Sequence, residues 1–228
     1  MEQAKIWAYY QNQALDSFAG SRARLTYLVK EIEKRHLRAV LNVGIGAGIF
    51  EQLAQERGLH ISSLDPNPDA VDRLHKRLGI DVRVGYVQQM PFEDAVFDAV
   101  VVSELFEHLD YDAMLQSLQE IKRVLAPGGY IIGTVPYQED LTSNMVVCPY
   151  CGELFHRWGH LQSFSVKTMQ KALAPFYEVE RVFPRPFPSF STLNWKGKIL
   201  GLSRLLLWRL GVHGSGSQLV FVAQKTSR

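Results

Sequence analysis

Long hydrophobic segments are absent from this 228-residue sequence. No uncharged apolar run approaches the ~18 residues that a helix needs to span a bilayer. The first residues, Met1 to Lys5, also lack the basic-then-apolar layout of a signal peptide. The hydrophobic and charged contents, 46% and 21%, are ordinary values for a globular chain. These features argue against a membrane-spanning chain, and we expect a single domain with a cytoplasmic location.

Acidic residues are missing from the C-terminal part of the chain. The range 181–228 holds eight Lys or Arg and no Asp or Glu, whereas the first 180 residues hold 17 basic and 23 acidic residues. A solvated basic face and an acidic partner both explain this imbalance. No RNA-binding signature accompanies it, so a nucleic-acid partner is not expected. The sequence also lacks a G-x-S-x-G elbow, a P-loop lysine motif and a paired-carboxylate hydrolase layout.

Glycines are concentrated where a short apolar run ends. The run Val40–Val43 leads into Gly44, Gly46 and Gly48, and a helix-compatible segment follows at once. This order predicts a buried strand that turns into a helix through a loop without side chains, where a ligand can approach the backbone. Asp65 lies twenty-one residues after Gly44, at the end of a second candidate strand. In a parallel sheet this carboxylate would lie beside the loop, at the distance of a ribose.

The spacing of this loop is G-x-G-x-G, with Ile49 where a dinucleotide fingerprint has its third glycine. The loop resembles motif I of the class I S-adenosylmethionine (SAM) methyltransferases. Four later segments resemble further motifs of that family in the right order: 64–67, 85–92, 97–103 and 123–129. The resemblance covers residues 40–135. It implies an α/β fold with a Rossmann-like, seven-stranded, mostly parallel sheet that ends in an antiparallel edge hairpin, with helices on both faces.

The resemblance also implies a binding site for SAM. The residues that match the family's cofactor positions are Asn42, Gly44, Gly46, Gly48, Asp65, Pro66, Gln88, Met90 and Ser103. Two positions depart from the family pattern. Asn42 stands where the family usually has Asp, and Tyr86 stands where an Asp commonly meets the adenine amino group.

The arrangement of apolar segments supports the same fold. Helical patterns over 3–18 and 21–35 precede alternating strands and helices, which is typical of a parallel sheet covered on both faces. We expect strands near 39–44, 60–64, 81–85, 97–102, 129–135, 177–183 and 218–224, and helices near 49–57, 67–77 and 111–125. We divide the single domain into an N-terminal helical lid, 1–36, a Cys/His insertion, 137–164, and a basic insertion, 184–216.

The basic insertion contains a candidate helix over 194–210. Its leucines occupy much of the helix circumference, which favours a lid or a subunit contact over a membrane-surface helix. If this segment forms a subunit contact, the chain is an oligomer.

The only two cysteines lie together, in Cys148-Pro149-Tyr150-Cys151-Gly152. With two later histidines they form C-x2-C-x4-H-x3-H, which resembles the spacing of zinc knuckles. The predicted ligands of a structural zinc ion are Cys148, Cys151, His156 and His160. A glutaredoxin-type redox motif and a metal-free turn are the alternatives.

A second polar group, Ser103-Glu104-Leu105-Phe106-Glu107-His108, follows the fourth strand, where a methyl acceptor would meet the cofactor. We assign catalytic roles to His108, as a general base, and to its neighbour Glu107. The order E-x-x-E-H is also similar to metal-dependent O-methyltransferases, in which His160 would complete a magnesium or manganese site. A purely structural helix start is the third alternative.

Together these features predict a SAM-dependent methyltransferase that acts on a hydroxyl oxygen of a small-molecule acceptor. The basic, apolar C-terminal part suggests a sugar or lipid-linked compound as that acceptor. The absence of N-P-P-Y and D-P-P-Y motifs argues mildly against N-methylation of bases. The alternative is a catalytically idle methyltransferase-like module that binds SAM or a partner.

Overall fold

A seven-stranded sheet organises the chain, for which a computed structural model describes residues 20–190, 193–212 and 216–226. The strand order is β3-β2-β1-β4-β5-β9-β8. The strands of this sheet are β1 (Ala39–Val43), β2 (His60–Asp65), β3 (Asp81–Val84), β4 (Phe97–Ser103), β5 (Leu125–Pro136), β8 (Tyr177–Arg185) and β9 (Gln218–Lys225). The first five strands pair in parallel, and β9 pairs antiparallel with both β5 and β8. The predicted fold class is confirmed.

Helices cover both faces of this sheet. They are α1 (Arg22–Glu33), α2 (Ile49–Gln55), α3 (Pro68–Leu78), α4 (Tyr111–Val124), α5 (Val166–Leu173) and α6 (Trp195–Arg209). Two hydrophobic clusters, one on each side, fill the space between the layers. The helix starts follow local chemistry: the side chains of Asn67 and Asp110 accept hydrogen bonds from the first-turn amides of α3 and α4.

The strand order reverses direction between β1 and β4, which are neighbours in the sheet but separated in sequence by β2 and β3. In a parallel sheet, ligands bind outside the carboxyl ends of the strands at such a switch point. The register aligns the last residues of the central strands, since Val43 pairs with both Leu64 and Val102, and Ser103 pairs with Thr134. The glycine loop and the segment after β4 therefore share one edge of the sheet.

The Cys/His insertion contains an unexpected hairpin. Strands β6 (Met145–Val147) and β7 (Leu154–His156) pair antiparallel, and Cys148–Glu153 forms their turn. Gly152 has a positive φ of 72° in this turn, which glycine adopts without strain.

The N-terminal segment agrees with the sequence where the structure describes it. The second predicted helix, 21–35, is α1, whose residues Leu28, Val29 and Ile32 are buried against the sheet. The first predicted helix, 3–18, lies outside the described residues. Within the described ranges, no helix is both long and apolar enough to cross a bilayer.

Candidate functional site

The glycine loop between β1 and α2 is held in a conformation that requires glycine. Gly44, Gly46 and Gly48 have φ angles of 89°, 53° and 71°, the left-handed region that side chains disfavour. A Cβ atom at Gly48 would also approach the guanidinium of Arg77 to 2.0 Å. Arg77 donates hydrogen bonds to the carbonyl oxygens of Ala47 and Gly48, which anchors the loop to α3. Backbone geometry alone is thus enough to explain the three glycines.

Asp65, the last residue of β2, lies directly against this loop. Its side chain is buried, and its two oxygens accept hydrogen bonds from the backbone N–H groups of Ile45 and Asn67, each at 2.9 Å. The carboxylate therefore joins the glycine loop to the segment after β2, where Pro66 is half-buried. A carboxylate oxygen can accept more than one hydrogen bond. The predicted proximity of acid and loop is present.

A buried carboxylate that the sequence analysis did not identify lies behind the loop. Glu51 of α2 is completely buried, and its Oε1 accepts hydrogen bonds from Asn42 at 2.7 Å and Ser63 at 2.8 Å. Burial raises the pKa of Glu51. Asn42 donates its other amide hydrogen to the carbonyl oxygen of Gly44 at 3.1 Å. Asn42 therefore orders the loop from within the protein. The sequence did contain a signal for Glu51. Asn42 and Ser63 are polar residues at inward positions of strands, and buried polar side chains of this kind need a hydrogen-bonding partner.

The segment 85–92 follows β3 at the same edge. Tyr86 is exposed, Gln88 is half-buried and Met90 is buried. The backbone N–H of Met90 donates to Glu120, and Arg123 donates to the carbonyl oxygens of Met90 and Phe92.

Arg123 is the first residue of the motif segment 123–129. The structure shows its function in the fold, since together with Glu120 it fixes the conformation of the loop. The hydrogen bonds that Arg123 makes to Glu120 and Asp94 raise the pKa of its guanidinium.

The turn after β4 carries backbone strain. Glu104 has a φ of 56°, which is uncommon for a residue with a side chain, and strain of this kind concentrates at functional sites. Its N–H group donates to the carbonyl oxygen of Thr134 at 2.8 Å. Arg24 of α1 crosses to this turn, with its Nε 3.2 Å from the Ser103 hydroxyl and its Nη1 3.5 Å from Glu104. Ser103 also lies 3.0 Å from the hydroxyl of Thr134. The first described helix therefore reaches the predicted site.

Glu107 follows in a short 3-10 helix, Phe106–His108. Its side chain is buried, and neither carboxylate oxygen has a hydrogen-bond partner among the described residues. Burial, followed by the nearby charge of Glu104, raises the pKa of Glu107 well above its usual range. An unpartnered buried carboxylate is costly, because desolvation disfavours its charged form. This residue is therefore set up either to hold a proton or to bind a cation.

His108 faces the segment after the hairpin. Its Nδ1 lies 3.4 Å from the carbonyl oxygen of Gly159, and its ring centroid lies 4.7 Å from that of His160. Burial, and then the neighbouring His160, lower the pKa of His108 to about 4. The imidazole is therefore neutral at physiological pH. The ligand atoms of Glu107, His108 and His160 all lie within 4.8 Å of one another.

Glu139, which the sequence analysis did not single out, sets the orientation of His160. The His160 Nδ1 lies 2.5 Å from Glu139 Oε2. Because a carboxylate only accepts, the neutral ring carries its proton on Nδ1 and keeps a lone pair on Nε2. Such carboxylate–histidine pairs commonly orient the histidine ligands of metal ions.

His156 has the opposite tautomer. Its Nδ1 accepts a hydrogen bond from the backbone N–H of His160 at 3.1 Å, so the neutral ring carries its proton on Nε2. That Nε2 atom lies 3.6 Å from Glu139 Oε1. In this tautomer Nε2 makes no hydrogen bond among the described residues, and it presents a proton instead of a lone pair to a metal ion.

The structure does not form the predicted four-ligand zinc site. Cys148 and Cys151 lie in the turn at the tip of the hairpin, whereas His156 is at its base, opposite Met145. Among the described residues, the groups with metal-ligand geometry combine histidines with carboxylates and contain neither thiol. A single zinc site from Cys148, Cys151, His156 and His160 therefore stays a prediction, and the thiols at the tip of the hairpin would have to approach the imidazoles near its base to share an ion.

The cysteine pair therefore gives a prediction of its own. We expect the Cys148→Ser/Cys151→Ser variant to keep its melting temperature within about 2 °C, because both side chains are at a turn and the backbone bonds of that turn remain. Differential scanning fluorimetry measures this. A loss of ~10 °C or more, together with zinc in the unsubstituted protein, would contradict it.

Comparison with known proteins identifies the central part of the chain. Residues 41–133 match the family model described as "Methyltransferase domain". An uncharacterized methyltransferase of Mycobacterium bovis is 34% identical over 93 residues, which are 40% of this chain and 37% of that protein. The ubiquinone biosynthesis O-methyltransferase of Cronobacter sakazakii is 32% identical over 116 residues, 47% of this chain and 46% of that protein. The chain thus matches less than half the length of these curated relatives.

Solved structures with low sequence identity share the whole fold. The 1,6-didemethyltoxoflavin-N1-methyltransferase of Burkholderia thailandensis superposes with a TM-score of 0.69 at 17% identity, covering 98% of this chain and 87% of that one. The N-methyltransferase NodS of Bradyrhizobium japonicum, in complex with S-adenosyl-L-homocysteine, gives 0.64 at 19% identity, covering 98% and 96%. The resemblance to the class I methyltransferases is confirmed.

Proposed function

We propose that this chain, whose residues 41–133 match a methyltransferase-domain model, transfers the methyl group of SAM to a small-molecule acceptor. The observation that carries the proposal is the contact of the buried Asp65 carboxylate with the glycine loop at the switch point of the sheet. The relatives support methyl transfer as the reaction. They include both O- and N-methyltransferases, so they leave the acceptor atom open.

On the donor side, the backbone of Gly44, Gly46 and Gly48 would lie against the methionine part of SAM. Asp65 would accept hydrogen bonds from the ribose hydroxyls, with Pro66 beside it, and Gln88 and Met90 would lie near the adenine. Asn42 would act through the loop that it orders. Ser103, at the end of β4, would lie closest to the methyl group.

For the acceptor we propose a hydroxyl oxygen. The group Glu104–His108 follows β4 at the edge that the glycine loop occupies, and neutral His108 can accept a proton as the oxygen attacks the methyl carbon. The oxygen–carbon bond forms as the carbon–sulfur bond breaks, and the proton passes to His108. A pKa of about 4 makes His108 a weak base, so positioning of the acceptor would supply much of the rate.

A second version of this mechanism includes a divalent ion, and one observation favours it. Glu107 is buried with both oxygens unpartnered among the described residues, next to two imidazoles whose Nδ1 atoms face the Gly159 carbonyl and Glu139. One carboxylate and two Nε2 lone pairs would suit zinc, manganese or iron(II). Glu104 would become a further ligand if its ion pair with Arg24 broke. When bound, the ion would polarise the acceptor oxygen.

Two segments around the site would select the acceptor. Arg24, in the described part of the proposed lid 1–36, already contacts Ser103 and Glu104. From the Cys/His insertion, Leu161 and Gln162 donate backbone hydrogen bonds to the carbonyl oxygen of Glu107.

The direct test is methyl transfer itself. Purified protein is incubated with methyl-labelled SAM and a library of hydroxyl-bearing metabolites and glycans, with an equal set of amines as the comparison. We expect labelled O-methyl products that are lost in a Gly46→Val variant, because a branched residue at a φ of 53° would distort the loop and occupy the cofactor space. Label found only on amines would overturn the choice of oxygen. SAM binding without transfer to any acceptor would favour an idle SAM-binding module.

A further inference from the structure

Helix α6 presents a row of large apolar side chains to solvent. The row follows the spacing i, i+4, i+7, i+11, i+15, which places its members on one face of a helix. Its members are Trp195, Ile199, Leu202, Leu206 and Leu210, each 59–70% exposed. We call this row the apolar stripe. Contiguous exposed apolar surface of this kind marks an interaction site.

The opposite face of α6 packs on the protein. Gly201 is buried against Phe190 and Pro188, and the Trp208 indole donates a hydrogen bond to the carbonyl oxygen of Pro184 at 2.5 Å. The absence of a side chain at Gly201 allows this close approach, since a Cβ there would lie 3.0 Å from the Phe190 ring. Because the helix is docked by this face, the apolar stripe points away from the body.

Basic residues border the apolar stripe on both sides. At 100° per residue, Lys198 and Arg209 lie on one side of it. On the other side Lys196 lies between the stripe and the exposed Leu200 and Leu207, and Arg204 lies on the far side of the helix. No Asp or Glu occurs between residues 181 and 228. The sequence alone favoured a lid or a subunit contact, but docking through Gly201 and Trp208 removes one face of the helix from solvent and leaves the stripe and its neighbouring cations exposed. An apolar face with cations at its margins is the pattern of helices that lie in the interface of an anionic membrane.

The charges distinguish this partner from a second copy of the chain. If two apolar stripes packed together, the bordering cations of both helices would face one another, with no acid in this part of the sequence to pair with them. An anionic lipid surface accepts the leucines and the cations together. We propose that α6 binds the chain to the surface of an anionic membrane without crossing it.

The surface of α6 is connected to the candidate active site. The Arg185 guanidinium lies over the rings of Trp208 and Tyr27, 5.0 Å and 4.4 Å from their centroids. Tyr27 is one turn of α1 after Arg24, which contacts the turn after β4. Since β5 and β8 are both antiparallel to β9, β8 ends at the sheet edge where the strands carrying that site end, and Trp208 docks α6 on Pro184 near this end of β8. Membrane binding would therefore bring this edge towards the bilayer.

Vesicle co-sedimentation tests the proposal independently of methyl transfer. The full chain is mixed with vesicles of phosphatidylcholine alone, and with vesicles of phosphatidylcholine and phosphatidylglycerol at about three to one. We expect binding to the second kind, weakened by salt, with a blue shift of the Trp195 emission that a Trp195→Phe variant loses. Absence of binding to anionic vesicles would overturn the proposal.

Matched variants separate the two contributions. Leu202→Ser/Leu206→Ser should weaken partitioning on the order of 100-fold, whereas Val84→Ser/Val96→Ser, which removes exposed apolar groups elsewhere, should not change it. Lys198→Gln/Arg209→Gln should weaken it roughly tenfold or more, and Lys167→Gln/Lys171→Gln on α5 should have little effect. Equal effects of test and control variants would contradict a specific surface. So would a dimer, seen by analytical ultracentrifugation, that Leu202→Ser/Leu206→Ser dissociates.

Discussion

Asp65→Ala is expected to abolish measurable SAM binding. The carboxylate would accept charge-assisted hydrogen bonds from two ribose hydroxyls, and each such bond contributes about 1.5–3 kcal/mol. Loss of both weakens binding by roughly two to four powers of ten. The same substitution removes the acceptor for the Ile45 and Asn67 amides, so the loop itself loses a constraint. Isothermal titration calorimetry with SAM measures the combined effect.

The chain offers a close control for this experiment. Asp98 also accepts two backbone hydrogen bonds, from Arg38 and Ala39 at 2.9 Å each, but it does so at the opposite end of the sheet. Asp98→Ala should therefore lower stability by a similar amount and leave the SAM dissociation constant unchanged. If Asp65→Ala and Asp98→Ala bind SAM equally well, the ribose assignment fails.

The main sheet was predictable because its strands carry strong local signals. β1, β4 and the second half of β5 are apolar runs, whereas β2 and β3 mix apolar and polar residues. The predicted boundaries differ from the observed ones mostly by one or two residues. The exception is β5, which begins at Leu125 instead of 129, because Pro127 and the two glycines after it read as a loop while their backbone still continues the strand.

The hairpin in the Cys/His insertion was not predicted, for a different reason. Cys148-Pro149-Tyr150-Cys151-Gly152 has the composition of a metal-binding turn, and the same residues also suit a plain hairpin turn. Sequence spacing does not show on which side of a strand each side chain lies, or how far the turn extends from the strand ends.

Long-range polar pairs were also beyond the sequence. Glu139 and His160 are separated by 21 residues and by the whole hairpin, yet their side chains meet. Nothing in the local pattern at Glu139 distinguishes it from a solvated loop carboxylate. His108 and His160 were identified because a family resemblance joined them, and the structure places their rings 4.7 Å apart.

His108→Ala is expected to lower turnover by about 10²–10⁴-fold on the true acceptor while SAM affinity stays unchanged. The reason is position: His108 follows β4, whereas the glycine loop and Asp65 follow β1 and β2. A base is active when deprotonated, so its contribution rises with pH through its pKa. Since that pKa is about 4, His108 is fully deprotonated between about pH 6 and 9, and its titration should cause no change in activity over that range. Wild-type turnover in His108→Ala would remove the residue from the mechanism.

Glu107→Gln separates the base from the divalent ion. Burial favours the protonated carboxyl of Glu107, and glutamine has nearly the same shape and no charge. If the site works without metal, this variant should keep turnover within about threefold. A tenfold loss would require the activation free energy to rise by about 1.4 kcal/mol, and a neutral substitution of the same shape should cost less than that. If Glu107, His108 and His160 hold an ion, Glu107→Gln should lose activity on the order of 100-fold.

A chelator should then inhibit the unsubstituted protein, and added zinc or manganese should restore its activity without rescuing the variant. Activity that resists both the chelator and Glu107→Gln would leave His108 as the sole proton acceptor.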